Sequence, residues 1–303
     1  MLKELFFSVV IPLYNKEDYI ENTLNSVLNQ NYKNFEIVII NDGSTDRSID
    51  VVKRFLDSRI KIFNQKNKGL SNARNSGIKH AKYEYIAFLD ADDLWCEDYL
   101  MCIFNLIKHQ PSSEVLATGV KVLRPKQKAN LSTTAFKPNQ IQIVSNYFSL
   151  KKNIFGPSAL VIKKSVFKNI GAFNETIKYG EEEDFFIRCF LKYNITFYKV
   201  KRIYYLRGFN NQLTSPNSSI KRNPPDYSKY LTNKNQATLK PYIDFIYFKL
   251  LILYKMERND KLVKFYKEKI DVSNLSFIRK IKFYLPIRVF YYLKSFYLSL
   301  LKR

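Results

Sequence analysis

Short apolar runs alternate with amphipathic helical runs over the first 109 residues, and this alternation constrains the fold more than any other feature. Helical spacing of apolar side chains fills the intervals between the runs, with an interruption expected at Gly77, and returns from Trp95 to His109. Helices are also predicted within residues 124–153 and over residues 181–193. Strands separated by helices of this length predict an α/β fold, with a mostly parallel sheet and helices on both faces. The runs typical of buried strands are LFFSVVIPLYN (5–15), NFEIVIINDGSTD (34–46), RIKIFNQ (59–65) and EYIAFLDADD (84–93).

Polar side chains follow three of these four predicted strands. Tyr14 and Asn15 end the first, Asp42 ends the second, and Asp90 and Asp92 end the fourth. Ligands of parallel sheets bind beyond the carboxyl ends of the strands, where helix N-termini also point. We therefore expect these side chains to meet at one edge of the sheet and to form one binding site.

The three aspartates of YIAFLDADDLW (85–95) are close enough in the chain to repel one another. A divalent cation shared by Asp90 and Asp92 would replace that repulsion with attraction. Mg²⁺ or Mn²⁺ is held in this way by one or two carboxylates together with substrate phosphates. Such an ion neutralises the charge that develops on a diphosphate leaving group. Asp93 is expected to cap the following helix instead.

Charge is distributed unevenly along the chain. Of the 50 Lys and Arg and the 27 Asp and Glu, the first 110 residues hold 14 and 15, and the remainder hold 36 and 12. Residues 272–303 combine seven basic residues with many Phe and Tyr and have no acidic residue. This pattern favours a helical region that associates with an anionic membrane surface or packs on the core. Nucleic-acid binding is the least favoured reading.

Cysteine and histidine content argues against several kinds of site. Three cysteines without a CxxC pair, and only two histidines, give little support for a disulfide framework, a zinc site or Ser-His-Asp chemistry. No apolar run reaches the ~20 residues that span a bilayer, and the N-terminus has no signal-peptide pattern. We therefore expect a cytoplasmic protein, peripheral at the inner face of the cytoplasmic membrane.

Five segments, in this order, resemble the family 2 glycosyltransferases, which share the GT-A fold. The resemblance covers residues 5–210 and implies an inverting, metal-dependent transfer of a sugar from a nucleotide-sugar, with a UDP-sugar favoured. It implies Mn²⁺ or Mg²⁺ as cofactor, and a glycan or lipid-linked saccharide acceptor in bacterial surface polysaccharide or lipooligosaccharide assembly. The matching segments are SVVIPLYN (8–15), IINDGSTDRS (39–48), NKGLSNARNSGI (67–78), FLDADD (88–93) and GEEEDFFIR (180–188).

The resemblance also implies roles for individual residues. Asp92 and Asp90 would bind the metal, and the guanidinium of Arg74 would lie beside the diphosphate, where a permanent cation suits phosphate oxygens. The residues implied in nucleotide-sugar binding are Pro12, Tyr14, Asn15, Glu17, Asp42, Arg74, Asp90 and Ala91.

The catalytic base is less clearly indicated. In similar sequences the base is the Asp of a G-E-D-x-D-x-x-x-R pattern, and Glu182 holds that position here. Inverting transfer needs a carboxylate that deprotonates the attacking hydroxyl. Glu182, Glu183 and Asp184 therefore all remain candidates, and Arg188 is expected to orient them.

The sequence predicts that three segments of the chain have different functions. Residues 1–110 would bind the nucleotide-sugar, residues 111–228 would hold the acceptor and the base, and residues 229–303 would form a C-terminal helical extension. Residues 207–219 follow the region where relatives carry a mobile loop that closes over the donor. Two alternatives remain open. A degenerate relative could serve as a membrane-bound assembly subunit, and a nucleotidyltransferase would use a similar fold, although IPLYNKEDY lacks the glycine of its phosphate loop.

Overall fold

The structure is a computed structural model that describes residues 4–208 and 225–302, with side chains as far as residue 296. The chain forms two compact units, Met1–Tyr147 with Ile154–Gln212 and Phe148–Asn153 with Leu213–Arg303. The predicted divisions 1–110 and 111–228 fall largely in the first unit, and their separate functions stay a prediction. Of the segment 207–219, residues 209–219 lie outside the described residues.

The first unit is a sheet with helices, and its described residues form nine strands and six α-helices. The strands are β1 (Phe7–Leu13), β2 (Phe35–Asn41), β3 (Ile60–Asn64), β4 (Tyr85–Phe88), β5 (Leu94–Trp95), β6 (Val115–Leu123), β7 (Ile141–Val144), β8 (Leu160–Lys163) and β9 (Ile195–Leu206). The helices are α1 (Ile20–Leu28), α2 (Ser48–Lys53), α3 (Leu70–His80), α4 (Tyr99–His109), α5 (Lys164–Ile170) and α6 (Glu181–Phe190).

The strand order is β3-β2-β1-β4-β8-β6-β9-β5, with β7 beside β9. The predicted parallel arrangement holds across β3, β2, β1 and β4. Beyond β4 the sheet is mixed, because β6 and β9 are parallel while the other pairs are antiparallel. In register, Val10 lies between Val38 and Phe88. The carboxyl ends of β1, β2 and β4 therefore meet at one edge of the sheet.

Continuous burial explains why β1 and β4 are almost entirely apolar. Every residue of β1 and β4 is buried, as expected for strands covered on both faces. Gly77, which was expected to interrupt its helix, lies within α3. A Cβ at Gly77 would lie 2.2 Å from Cγ1 of Val10, so the absent side chain allows α3 to pack directly on β1.

Two segments differ from the sequence prediction because tertiary pairing overrides local pattern. Trp95 was expected to begin a helix, but Leu94 and Trp95 form β5 against β9, and α4 begins at Tyr99. A helix was also expected within residues 124–153. The regular α or β element there is instead β7, which pairs with β9.

The second unit contains α7 (Gln236–Met256), α8 (Asp260–Lys269), α9 (Phe277–Tyr284) and α10 (Ile287–Lys302). Its buried Lys255 donates to the carbonyl oxygens of Lys282, Phe283 and Leu285 at 2.7, 2.8 and 2.6 Å. The ammonium thereby satisfies carbonyls at the end of α9 that have no partner inside the helix. Among the described residues, no helix combines the length and the apolar character needed to cross a bilayer.

Candidate active site

The loop after β1 is hydrogen-bonded to the loop after β2. The backbone N–H of Thr45 donates to Oδ1 of Asn15 at 2.8 Å, and the backbone N–H of Lys16 donates to the Ser48 hydroxyl at 2.7 Å. Asn15 has a φ of +49°, a left-handed conformation that asparagine tolerates better than most residues. These contacts hold the first two predicted strand ends together.

The other predicted residues of the first loop have different environments. Pro12 is buried within β1, whereas the ring of Tyr14 is 45% exposed and offers a face on which a planar base can stack. Glu17, expected to contact a ribose, accepts hydrogen bonds through Oε2 from the backbone and side chain of Arg47 at 3.0 and 3.1 Å. One of its two carboxylate oxygens is therefore engaged by protein groups.

Asp42 is a buried carboxylate that lies at the N-terminal end of α3. It accepts from the side chain of Gln65 at 2.7 Å and from the backbone N–H groups of Lys68 and Gly69 at 2.9 and 2.8 Å. A carboxylate favours a helix N-terminus because of the helix dipole. Since it has about four acceptor positions, one further donor, such as the N–H of a base, can be bound.

The predicted metal loop, residues 89–93, follows β4. Two of its carboxylates are paired with cations of the protein. Nη2 of Arg74 lies 2.8 Å from Oδ1 of Asp90, and Nζ of Lys16 lies 2.6 Å from Oδ2 of Asp92. The side chain of Asp90 is 26% exposed and that of Asp92 is 14% exposed. Ala91 is buried, and its carbonyl accepts from a hydroxyl group at 3.0 Å.

Asp93 does not cap the next helix, in contrast to the sequence expectation, because its carboxylate is used inside the protein. It accepts from the Ser158 hydroxyl at 2.6 Å and from the backbone N–H of Leu206 at 3.1 Å. Burial, together with the neighbouring charges of Asp92 and Asp90, raises the pKa of Asp93 well above its ordinary value. Asp93 thus fastens the metal loop to the end of β9.

Arg74 connects the metal loop to the acidic start of α6. Its guanidinium is buried and donates to Asp90 at 2.8 Å through Nη2 and to Glu181 at 2.9 Å through Nη1. Burial alone would lower the pKa of Arg74, but the charges of these two carboxylates raise it overall. The ring of Phe173 lies 5.2 Å from the guanidinium carbon. The predicted phosphate ligand is therefore a buried link between two motifs.

The candidate bases lie in the first turn of α6, just after Gly180, which has a φ of +86°. Glu183 and Asp184 are buried, and Asp184 pairs with Arg188 at 3.0 Å. Arg188 orients Asp184, as expected, and its remaining N–H groups donate to the backbone carbonyls of residues 170–172. Glu182 is half-buried and is thus the most accessible of the three candidates.

Three residues of the site were not predicted from the sequence. Lys16 follows the predicted nucleotide loop directly, and a cation at that position was the only local signal for its role. Glu181 belongs to the acidic run, but nothing in the sequence indicates its contact with Arg74. Ser158 accepts from the backbone N–H of Asp90 at 3.1 Å and donates to Asp93, a role that no local pattern indicates.

The carboxylates of the metal loop fit a diphosphate-bound cation. The Lys16 ammonium at Asp92 shows that a positive group is accommodated there. Within residues 4–208 and 225–302, no group of three or more His, Cys, Asp or Glu side chains is arranged as a metal cage. Mg²⁺ or Mn²⁺ does not require one, because substrate phosphates and water complete the coordination shell around one or two carboxylates. Asp92 and Asp90 would be those ligands.

Comparison with known proteins points to one family. The model of the glycosyl transferase family 2 matches residues 8–171. The Streptococcus pneumoniae serotype 4 glycosyltransferase GlyA is 42% identical over 109 residues, which are 35% of this chain and 16% of that protein. An uncharacterized glycosyltransferase of Rickettsia typhi is 31% identical over 186 residues, which are 60% of this chain and 57% of that protein. The chain thus covers less than two thirds of either relative.

Solved structures show the same architecture. The crystal structure of S. aureus TarS 1-349 in complex with UDP-GlcNAc superposes with a TM-score of 0.57 and 19% identity, covering 89% of this chain and 77% of that one. The complex of the same protein with UDP has a TM-score of 0.56 and 18% identity, covering 89% of both chains. At this identity the likeness concerns the fold.

Proposed function

We propose, from the premise that this chain belongs to glycosyl transferase family 2, that it transfers a sugar from a nucleotide-sugar to a glycan or lipid-linked saccharide. Membership follows from the family match, which covers more than half of the chain. The predicted GT-A fold is confirmed by the likeness to TarS. The donor we propose is a UDP-sugar, and the TarS complexes with UDP and UDP-GlcNAc support that choice.

One observation carries the proposal: Arg74 joins Asp90 to Glu181. Asp90 belongs to the motif proposed to hold the donor diphosphate, and Glu181 precedes the residue proposed as base. Transfer requires these two functions on opposite sides of the same sugar, so their motifs must lie close together. A nucleotide-binding fold without transfer activity would not need the two motifs to be joined.

On the donor side, the exposed ring of Tyr14 would stack on the base and Asp42 would accept its N–H. Asp92 and Asp90 would hold Mn²⁺ or Mg²⁺, which supplies neutralisation of the charge on the departing diphosphate. Arg74 would act on the diphosphate mainly through Asp90, because its guanidinium is buried.

On the acceptor side, Glu182 is the preferred base. Its carboxylate would take the proton of the acceptor hydroxyl while the hydroxyl oxygen attacks the anomeric carbon. The bond from that carbon to the diphosphate oxygen breaks, the electron pair stays with the diphosphate, and the configuration at the anomeric carbon inverts. Burial of Glu183 and Asp184 favours Glu182 for this role.

A thermal-shift panel of nucleotide-sugars with and without Mn²⁺ tests the donor proposal, because a ligand that binds only the folded state raises apparent stability. The expected result is stabilisation by a UDP-sugar that requires Mn²⁺, followed by release of UDP on addition of acceptor. Binding without any release of UDP would favour the degenerate assembly subunit. Stabilisation by nucleoside triphosphates alone would favour a nucleotidyltransferase.

We propose further that the second unit places the enzyme at an anionic membrane surface, where a lipid-linked acceptor would be found. Support comes from the faces of α9 and α10. Phe283 and Phe290 are buried, whereas other large apolar side chains of these helices are exposed to solvent. Lys282 and Arg288 are exposed on the same two helices. Aromatic and basic side chains together favour the interface of an anionic bilayer. The exposed apolar residues are Phe277, Ile278, Ile281, Tyr284, Val289, Tyr292, Leu293 and Phe296.

A further inference from the structure

The ammonium group of Lys16 contacts Asp92, the residue proposed above as a metal ligand. Nζ and Oδ2 are 2.6 Å apart, and each side chain is 14% exposed. A partly buried pair of this kind is screened by salt less than an exposed pair is. Asp92 therefore has a cationic partner within the protein itself.

The position of Lys16 is determined at both ends of the residue. Its backbone N–H donates to the Ser48 hydroxyl at 2.7 Å, which anchors it to the loop after β2. Its ammonium lies 5.6 Å from the centre of the Tyr19 ring, within the range of a cation–π contact. The lysine thus extends from the loop after β1 to the loop after β4.

We propose that Lys16 and a divalent cation bind the carboxylate of Asp92 in turn, and that this exchange makes metal binding conditional on a nucleotide diphosphate. The inference rests on the proposed function. A metal ion alone must displace the ammonium and then lie near it, and the two like charges repel each other. A diphosphate brings anionic oxygens that attract the displaced ammonium. Metal and nucleotide together therefore offset the free-energy cost of moving the ammonium away from Asp92, which a metal ion alone does not offset.

Binding of Mn²⁺, measured from the electron paramagnetic resonance signal of the free ion, tests the exchange without relying on catalysis. The wild type, Lys16→Met, Lys16→Arg and Lys33→Met are titrated with and without UDP. Lys33 is an exposed lysine just before β2, at the opposite end of the strand. We expect Lys16→Met to bind Mn²⁺ alone about fivefold more tightly than the wild type, since a partly exposed ion pair contributes up to about 1 kcal/mol.

The same titration gives a second expected result, because UDP should increase Mn²⁺ affinity less in Lys16→Met than in the wild type. Lys33→Met should match the wild type, Lys16→Arg should stay closer to the wild type than Lys16→Met does because it keeps the positive charge, and circular dichroism verifies that each variant is folded. Unchanged or weaker binding of Mn²⁺ alone by Lys16→Met would overturn the exchange.

Asp92→Asn separates this failure from failure of the proposed function. Loss of Mn²⁺ binding in Asp92→Asn, with no effect of Lys16→Met, would overturn the exchange and leave the metal site in place. Binding of Mn²⁺ to Asp92→Asn with wild-type affinity would instead overturn the metal site on which both proposals depend.

Discussion

Asp90 and Glu181 accept hydrogen bonds from the same guanidinium, that of Arg74, at 2.8 and 2.9 Å. Asp90 follows β4 and Glu181 begins α6, so a single buried side chain sets the distance between two motifs that are far apart in the sequence. Two carboxylates that both contact one guanidinium would repel each other without that cation between them. The distance between the proposed donor site and the proposed base therefore depends on Arg74.

Replacing Arg74 should affect both folding and activity. Arg74→Met leaves the buried Glu181 and the partly exposed Asp90 without their cation, and we expect the free energy of unfolding to fall by about 3–5 kcal/mol. Arg74→Lys keeps the charge but cannot donate to both carboxylates through a rigid fork, so it should retain more stability than Arg74→Met and still lose transfer activity.

Urea denaturation of these variants checks the role of Arg74, with Arg59→Met as the control. Arg59 pairs with Asp57 on a partly exposed surface, and its loss should cost no more than about 1 kcal/mol. Equal destabilisation by Arg59→Met and Arg74→Met would show that the buried Arg74 contributes no more to the free energy of unfolding than a surface ion pair does.

The candidate base can be identified from three matched substitutions. Glu182→Gln should reduce transfer by about a hundredfold or more, in the range of general-base catalysis, while the affinity for the donor stays the same. Glu183→Gln and Asp184→Asn should act mainly by lowering stability, because both side chains are buried and Asp184 pairs with Arg188. Rates of transfer are compared at saturating donor, beside donor affinities from calorimetry.

A different pattern in this series would reassign the base. If Glu182→Gln transfers sugar at the wild-type rate while folded Glu183→Gln or Asp184→Asn does not, one of the buried acids is the base. If all three variants transfer normally, the base lies outside this turn of α6.

The placement of Tyr14, Asp42 and Asp90 at one edge of the sheet could be predicted from the sequence. Each follows an apolar run long enough for a buried strand, and parallel strands bring their carboxyl ends together. The contacts of these residues could not be predicted in the same way. Asp42 and Asp93 are held by backbone N–H groups of distant segments, and such partners leave no local pattern.

The same reasoning explains where the fold departed from expectation. Leu94 and Trp95 have a local pattern compatible with a helix, yet they pair with Tyr204 and Ile203 of β9, and the Trp95 ring N–H donates to the carbonyl of Ser158 at 2.8 Å. Pairing partners more than a hundred residues away in the chain decide the structure of so short a segment. In contrast, α6 is amphipathic by itself, and the structure has it at Glu181–Phe190 within the predicted residues 181–193.

The membrane proposal predicts that exposed aromatic residues of α9 and α10 govern vesicle binding. Phe277→Ser combined with Tyr284→Ser and Tyr292→Ser should weaken binding to anionic vesicles at least about tenfold, because each aromatic ring loses its burial in the lipid interface. Leu56→Ser is the control, since Leu56 is 99% exposed but lies in the first unit.

Sedimentation with phosphatidylserine and phosphatidylcholine vesicles measures this binding at two salt concentrations. We expect binding to phosphatidylserine that weakens with salt, since each basic residue near the surface contributes about 1 kcal/mol. Equal binding by the triple variant and the wild type, or equal binding to both lipids, would contradict an anionic docking face on these helices.

We expect the hydrogen bonds of Lys255 to stabilise the second unit. Lys255→Met keeps the length of the side chain but removes the donor from three carbonyls, and we expect the free energy of unfolding to fall by about 3 kcal/mol. Thermal and urea denaturation of the full chain measure the effect. Lys261→Met, at an exposed lysine of α8, should have almost none, and a similar loss in both variants would contradict the role of the buried ammonium.

The turnover of Asp92→Asn in Mn²⁺ tests the central claim most directly. Asp50→Asn is its control, because Asp50 is an exposed aspartate of α2 and the substitution removes the same charge. With the UDP-sugar that stabilises the wild type, we predict that Asp92→Asn loses release of UDP by about a hundredfold or more, in the range of other losses of transition-state charge stabilisation. Asp50→Asn should keep the wild-type rate, and the wild type should lose its activity with a chelator. Release of UDP by Asp92→Asn at the wild-type rate would contradict a metal-assisted transfer at this edge of the sheet.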